Sequence, residues 1–147
     1  FKKEIKNVIK NGIKINILGR TSSFSQSLKK ILKDTIKKTA KNKKLTVNLA
    51  LNYGSKNEIK NAFIKLKKNR SKITESLISK SLYTGRQPNP DILIRTGGQR
   101  RLSNFMLWQL AYSELYFLDK LWPDFQASDL KKIIKNYRLI KRNFGKI

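Results

Sequence analysis

Apolar positions in this chain fall into two rhythms, one near 3.6 residues and one of 2, which separate helices from strands. Phe1, Ile5, Val8 and Ile9 recur at helical spacing, and Asn11-Gly12 then stops that helix. Ile13, Ile15 and Ile17 alternate with Lys14 and Asn16, which predicts a strand closing at Gly19. Leu28, Ile31, Leu32 and Ile36 return to one helical face, opened by a serine cap among residues 23–25. Leu45, Val47, Leu49 and Leu51 alternate again and predict a second strand that ends at Asn52-Tyr53-Gly54. Helices over about 56–68 and about 74–82 follow.

Pro88 and Pro90 remove backbone donors, so Gly85 to Pro90 reads as a loop. Ile92-Leu93-Ile94, bounded by turn signals, predicts a short buried strand. The chain is expected to turn helical from about Asn104 to Leu110, and Leu115 to Leu118 predicts a last strand. Leu130, Ile133, Ile134, Tyr137 and Phe144 mark a closing helix with Ser128 as its cap. Strands alternating with helices imply an α/β fold with a mostly parallel central sheet flanked by helices. The 147 residues suit one domain spanning 1–147, and no repeat, low-complexity tract or linker interrupts them.

Composition narrows the chemistry. The chain has no Cys and no His, which excludes disulfides, thiolate nucleophiles, Cys/His zinc sites and a Ser-His-Asp triad. Carboxylates, Arg, Lys, hydroxyls or a hard metal held by oxygen remain. Lack of Cys fits a cytoplasmic protein. No apolar run exceeds four residues, so none is long enough to span a bilayer. The formal charge is +25, of which +19 lies in residues 1–90, and 26 Lys stand against 8 Arg. Scattered lysines of this kind read first as solvated helix faces, with a polyanion or anionic-membrane role as the alternative. Either way the field attracts phosphate-bearing ligands.

Candidate chemistry concentrates in residues 95–103, just beyond a strand end, where parallel sheets bind ligands. Arg95, Arg100 and Arg101 offer forked donors suited to phosphate oxygens. Gly97-Gly98 lets the backbone pass close to a ligand and offers N–H groups to an anion. Ser103 adds a hydroxyl near an expected helix N-terminus. Three Arg and no acid make a diphosphate site plausible; a basic surface turn is the plainer alternative.

These residues also carry a resemblance. Asp91 to Gly98, then Arg101 to Phe117, then Leu121-Trp122-Pro123-Asp124-Phe125, resembles the C-terminal signature of the cis-prenyltransferases of the undecaprenyl diphosphate synthase type. Ile13 to Phe24, Asn48 to Gly54 and Arg142-Asn143-Phe144-Gly145 extend the likeness over nearly the whole chain. The resemblance implies prenyl transfer: isopentenyl diphosphate condenses onto an allylic diphosphate such as farnesyl diphosphate, forming a cis double bond. It matches the family's substrate loop to Arg95 and Arg101-Leu102-Ser103, and its C-terminal Mg²⁺-binding carboxylate to Glu114. It further implies a homodimer and peripheral membrane contact for release of a lipid product. Gln99 stands where many members have Glu, Arg100 falls at a variable position, Arg20 replaces a frequent Asp, and Ser55-Lys56 replaces Gly-Arg.

No residues match the family's other phosphate loop. The expectation is therefore a C-terminal two-thirds of the domain, incomplete at its N-terminal side, carrying the isopentenyl diphosphate half-site and inactive alone. A non-catalytic partner subunit and a basic nucleic-acid-binding module are the alternatives. Trp108, Tyr112, Tyr116, Phe117 and Trp122 read as core or dimer contacts rather than base-stacking platforms, which argues against nucleic acid.

Overall fold

Glycine and asparagine place the first boundary where the pattern predicts it. Helix α1, Ile5–Lys10, ends at Asn11, and Gly12 takes a positive φ of 68° before strand β1, Ile13–Gly19. The computed structural model describes residues 5–70 and 72–141, so Phe1, Phe144 and the Arg142 to Gly145 match lie outside the described residues. Contacts divide the chain into two compact units, Phe1–Gly85 and Arg86–Ile147.

In the first unit, β1 runs parallel to β2, Leu45–Leu51, in register from Ile13↔Leu45 to Gly19↔Leu51. The crossover between them is α2, Gln26–Thr39, and the Ser25 hydroxyl caps it by accepting from Leu28 N–H at 3.3 Å. Helix α2 turns Leu32, Thr35 and Thr39 inward against β1, where Ile15 and Leu18 are buried. Thr39 also ties helix to strand: its hydroxyl accepts from Ile15 N–H at 3.1 Å and donates to Thr35 C=O at 2.8 Å. Glycine is required at position 19. Its φ is 112°, and a Cβ there would stand 2.2 Å from Leu51 C=O.

Helices α3, Ser55–Lys68, and α4, Glu75–Ser81, complete this unit, the second capped by Thr74. Glu58 is 2% exposed yet fully engaged. It accepts from Tyr53 O–H at 2.5 Å and from Tyr83 N–H at 2.7 Å, joining the end of β2 to the turn after α4. Burying a carboxylate is tolerable only with such donors.

In the second unit β3, Ile92–Arg95, pairs parallel with β4, Glu114–Phe117, in register from Ile92↔Glu114 to Arg95↔Phe117. All four β3 residues are half-buried, not buried as the apolar run suggests, because a two-stranded ladder encloses little surface. The α/β class with parallel strands therefore holds, but the described strands form two two-stranded sheets rather than one. No helix among the described residues is long and apolar enough to cross a membrane.

Helix α5, Ala127–Tyr137, corrects another expectation: Ser128 does not cap it. Gln126 does, in a reciprocal box whose other half is the Asp129 carboxylate accepting from Gln126 N–H at 2.8 Å. Lys120 adds an ion pair to Asp129 at 2.8 Å. The Lys120 hydrogen bond first, then the Gln126 N–H, holds the Asp129 carboxyl below its ordinary value. A lowered folded-state value stabilises the fold above about pH 4, and the effect fades as pH falls through that value. Asp129→Asn is expected to lower the melting temperature at neutral pH, and the two proteins to converge once the pH has fallen below the lowered folded-state value. Thermal melts followed by circular dichroism across this range check it.

Candidate functional site

The chain leaving β3 at Arg95 is turned back by its own glycines. Gly97 and Gly98 adopt φ of 89° and 72°, and their N–H groups donate to Lys120 C=O and Leu118 C=O, each at 2.9 Å. The sequence reading assigns those N–H groups to an anion. The structure uses them to staple the loop to the segment after β4. No neighbour lies within 4 Å of a Cβ built on Gly97, so substitution there is resisted by backbone conformation alone. Gly97→Ala is expected to cost about 1–2 kcal/mol, measured by urea unfolding.

Beyond the glycines the loop folds over Arg95. Its guanidinium donates through Nη1 to the Ser103 hydroxyl at 3.1 Å and to the Arg101 backbone carbonyl. Arg101 donates to the Gln99 side-chain oxygen at 2.5 Å. Ser103, Asn104 and Met106 all take positive φ, of 47°, 63° and 45°. Helical dihedrals are impossible there, so the helix expected over Asn104 to Leu110 is a series of turns, and Ser103 has no helix dipole beside it. The polar site is built by side chains, not by a helix end.

Arg95, Arg101 and Leu102 line a cavity of about 280 Å³ together with Leu93, Ile94, Thr96 and Phe105. Guanidinium donors and apolar side chains in one lining suit a small amphiphilic anion. Arg101 has no acid partner among the described residues, because Gln99 accepts its hydrogen bond without neutralising its charge. A carboxylate at position 99 would compete with an incoming anion; the amide does not. Thr96 and Phe105 line the cavity without any local signal to mark them, and Gln99, noted in the sequence only as a departure from the family's Glu, holds Arg101.

Glu114 is the sequence-predicted residue that the structure does not bring to this cluster. It pairs in register with Ile92, whereas Arg95 pairs with Phe117. Three residues of strand separate the two positions, about 10 Å along the ladder. Its backbone N–H donates to Asp91 C=O at 2.9 Å, and the residue is half-buried. Among the described residues no three of Asp, Glu, His or Cys stand together in a way that would hold a metal. One accessible carboxylate fits Mg²⁺ as a single oxygen ligand, with phosphates supplying others.

The aromatics read as core or dimer contacts differ in exposure. Trp108, Tyr116 and Phe117 are half-buried, but Trp122 is 72% and Tyr112 61% exposed, so neither is core in this chain. Trp122 instead stacks on Phe125, with ring centroids 5.8 Å apart.

Two parallel strand pairs, one joined by a helical crossover and the other by turns, with a guanidinium-lined pocket past a strand's carboxyl end, define an α/β protein. Comparison with known proteins then gives the lineage. A family model described as "Putative undecaprenyl diphosphate synthase" matches residues 1–145, and the chain belongs to that prenyltransferase family. An isoprenyl transferase of Fusobacterium nucleatum is 44% identical over 145 residues, covering 98% of this chain and 63% of that protein. The crystal structure of a probable undecaprenyl diphosphate synthase from Campylobacter jejuni superposes with a TM-score of 0.90 at 31% identity, covering 99% of this chain and 69% of that one. Lavandulyl diphosphate synthase from Lavandula x intermedia, in complex with dimethylallyl diphosphate, gives a TM-score of 0.91 at 31% identity over 99% of this chain and 66% of its own. The chain thus spans less than two-thirds of the length of the Fusobacterium relative.

Proposed function

We propose that this chain carries the isopentenyl diphosphate half-site of a cis-prenyltransferase, its two units being parts of one catalytic domain. The observation that carries the reading is the Arg95 guanidinium, which hydrogen-bonds the Ser103 hydroxyl and the Arg101 backbone and lines one small cavity together with Arg101 and Leu102. Arg95, Arg101 and the Ser103 hydroxyl bind the diphosphate, while Leu102 and Phe105 face the hydrocarbon end. Charge-assisted donors of this kind hold phosphate oxygens in one orientation. A related fold that binds dimethylallyl diphosphate supports a diphosphate ligand. The second substrate is an allylic diphosphate such as farnesyl diphosphate.

Glu114 would hold Mg²⁺ in the working enzyme, and the ion would offset diphosphate charge. Because Glu114 lies about 10 Å along the ladder from Arg95, it serves a site shared with a second copy, in keeping with a homodimer. Titration of isopentenyl diphosphate into the chain, with and without Mg²⁺, tests the proposal. Micromolar-range binding that strengthens with Mg²⁺ is expected, and Glu114→Gln is expected to remove the Mg²⁺ effect while leaving metal-free affinity unchanged. Absence of saturable binding in both conditions overturns the half-site; an unaltered Mg²⁺ response overturns the role of Glu114.

A further inference from the structure

We infer that Lys120 and Asp129 are positioning residues for the Arg95 to Ser103 loop, their ion pair holding the strip of backbone from which that loop hangs. Where it concerns ligand affinity, this rests on the diphosphate reading above; where it concerns the loop, it does not. The chain leaves β3 at Arg95 and passes at once through Gly97 and Gly98, which have no side chains to pack. A Cβ built on Gly97 would meet nothing within 4 Å, so backbone bonds must set its place. Leu118 N–H donates to Arg95 C=O at 2.8 Å, Gly98 N–H to Leu118 C=O at 2.9 Å, and Gly97 N–H to Lys120 C=O at 2.9 Å. All three bonds fall on residues 118–120, just past Phe117, the last paired residue of β4.

That strip belongs to no strand or helix. It lies between β4 and the short 3₁₀ turn Trp122–Asp124, so neither a ladder nor a helix fixes its far end. The Lys120 side chain does. Its ammonium donates to both carboxylate oxygens of Asp129, at 2.9 and 2.8 Å. Asp129 is held in turn, because one of those oxygens accepts from Gln126 N–H in the capping box of α5. Clamping residue 120 to residue 129 closes the backbone between them and restricts the carbonyl that Gly97 uses. Lys120 thus gives its carbonyl to the stem of the loop and its ammonium to α5. Two residues before that stem bond stands Arg95, whose guanidinium holds Ser103 and the Arg101 carbonyl. The pair is partly open to water, with side chains 41% and 26% exposed, so its effect on the loop is expected to be about two- to fivefold. Coupling is reciprocal, so a ligand that orders the loop also tightens the clamp.

The loop is read twice in the 147-residue chain, first without ligand. Lys120→Met should speed amide exchange of Gly97, followed by NMR, about two- to fivefold. The Glu114 amide, bonded to Asp91 C=O at the other end of the ladder, should keep its rate, which a general loss of stability would not allow. Lys120→Arg should restore the parent rate at Gly97, and Lys131→Met, which takes the same charge from α5, should leave it unchanged. Salt raised from about 0.1 M to 1 M should speed Gly97 exchange in the unaltered protein but not in Lys120→Met. This comparison needs only the parent if the variant folds poorly. In the second reading, titrated isopentenyl diphosphate should bind Lys120→Met and Asp129→Asn each about two- to fivefold more weakly, and the double variant no more weakly than either. An unmoved Gly97 rate, equal acceleration at Glu114, or an equal effect of Lys131→Met overturns the inference. So does a loosened Gly97 in a Lys120→Met protein that binds the diphosphate as tightly as the parent. A parent that binds no isopentenyl diphosphate overturns the half-site reading instead, and the exchange rates still decide the clamp.

Discussion

Arg95→Ala is expected to weaken isopentenyl diphosphate binding by about 2–4 kcal/mol, roughly 30- to 900-fold, more than any other single change in the loop. Two losses combine. The first is a charge-assisted contact to phosphate, worth roughly 1.5–3 kcal/mol. The second is the internal tie, because the same guanidinium donates to Ser103 Oγ and to Arg101 C=O and thereby holds the loop over the cavity. Without it, three residues at positive φ lose the contact that offsets their backbone cost. Arg101→Ala removes only a ligand contact and should cost about 1.5–3 kcal/mol. Arg100→Ala is the control: the residue is exposed and lines no part of the cavity, so its effect should be small. Arg95→Lys should recover little, since an ammonium cannot fork to two acceptors in a plane. Calorimetric titration of each variant, with circular dichroism to confirm folding, decides the matter. Equal affinities for the parent and Arg95→Ala would remove this loop from the binding site.

The second large effect is on turnover. The 147-residue chain by itself is expected to bind isopentenyl diphosphate without condensing it. Condensation needs two diphosphates held so that the allylic carbon faces the homoallylic double bond, and such orientation supplies roughly 7–11 kcal/mol of the barrier reduction. On the proposed reading Arg95, Arg101 and Ser103 hold one diphosphate, and Glu114 contributes one carboxylate. A dimer of identical chains repeats the same set. The check is incubation with Mg²⁺, farnesyl diphosphate and radiolabelled isopentenyl diphosphate, followed by extraction of lipid product. Product formation at a rate comparable with a full-length isoprenyl transferase would mean that the acceptor site lies within these residues.

Much of this molecule is legible locally. Strand β1 and β2 occupy the residues their alternation predicts, and Ser25 caps α2 as a short hydroxyl before a periodic apolar run should. Helices α3 and α4 begin and end within a residue or so of the pattern. These elements are set by side-chain period and capping chemistry, which act over a few residues. The clustering of Arg, Gly and Ser after a strand likewise marks the candidate site without any knowledge of the fold.

What the pattern misreads is decided by contacts far apart in the chain. Residues Asn104 to Leu110 have ordinary helical spacing, yet the backbone there follows the closure of the loop on Arg95, eight positions before Ser103. Gly97 and Gly98 are rightly marked as special, but their N–H groups go to carbonyls 23 and 20 residues ahead, so the expected anion nest is a staple. Gln126 outcompetes Ser128 as the cap of α5 because Asp129 can answer it and Lys120 can reach Asp129.

The sequence by itself determined the α/β class, the α2 crossover, the family and the Arg, Gly and Ser cluster that is proposed to bind phosphate. Tertiary structure alone decided that Arg95 and Arg101 line one cavity with Ser103 hydrogen-bonded to Arg95, and that Glu114 stands at the far end of the same ladder. The reason is register: a parallel pairing that sets Arg95 beside Phe117 necessarily sets Glu114 beside Ile92, and no local pattern states that alignment.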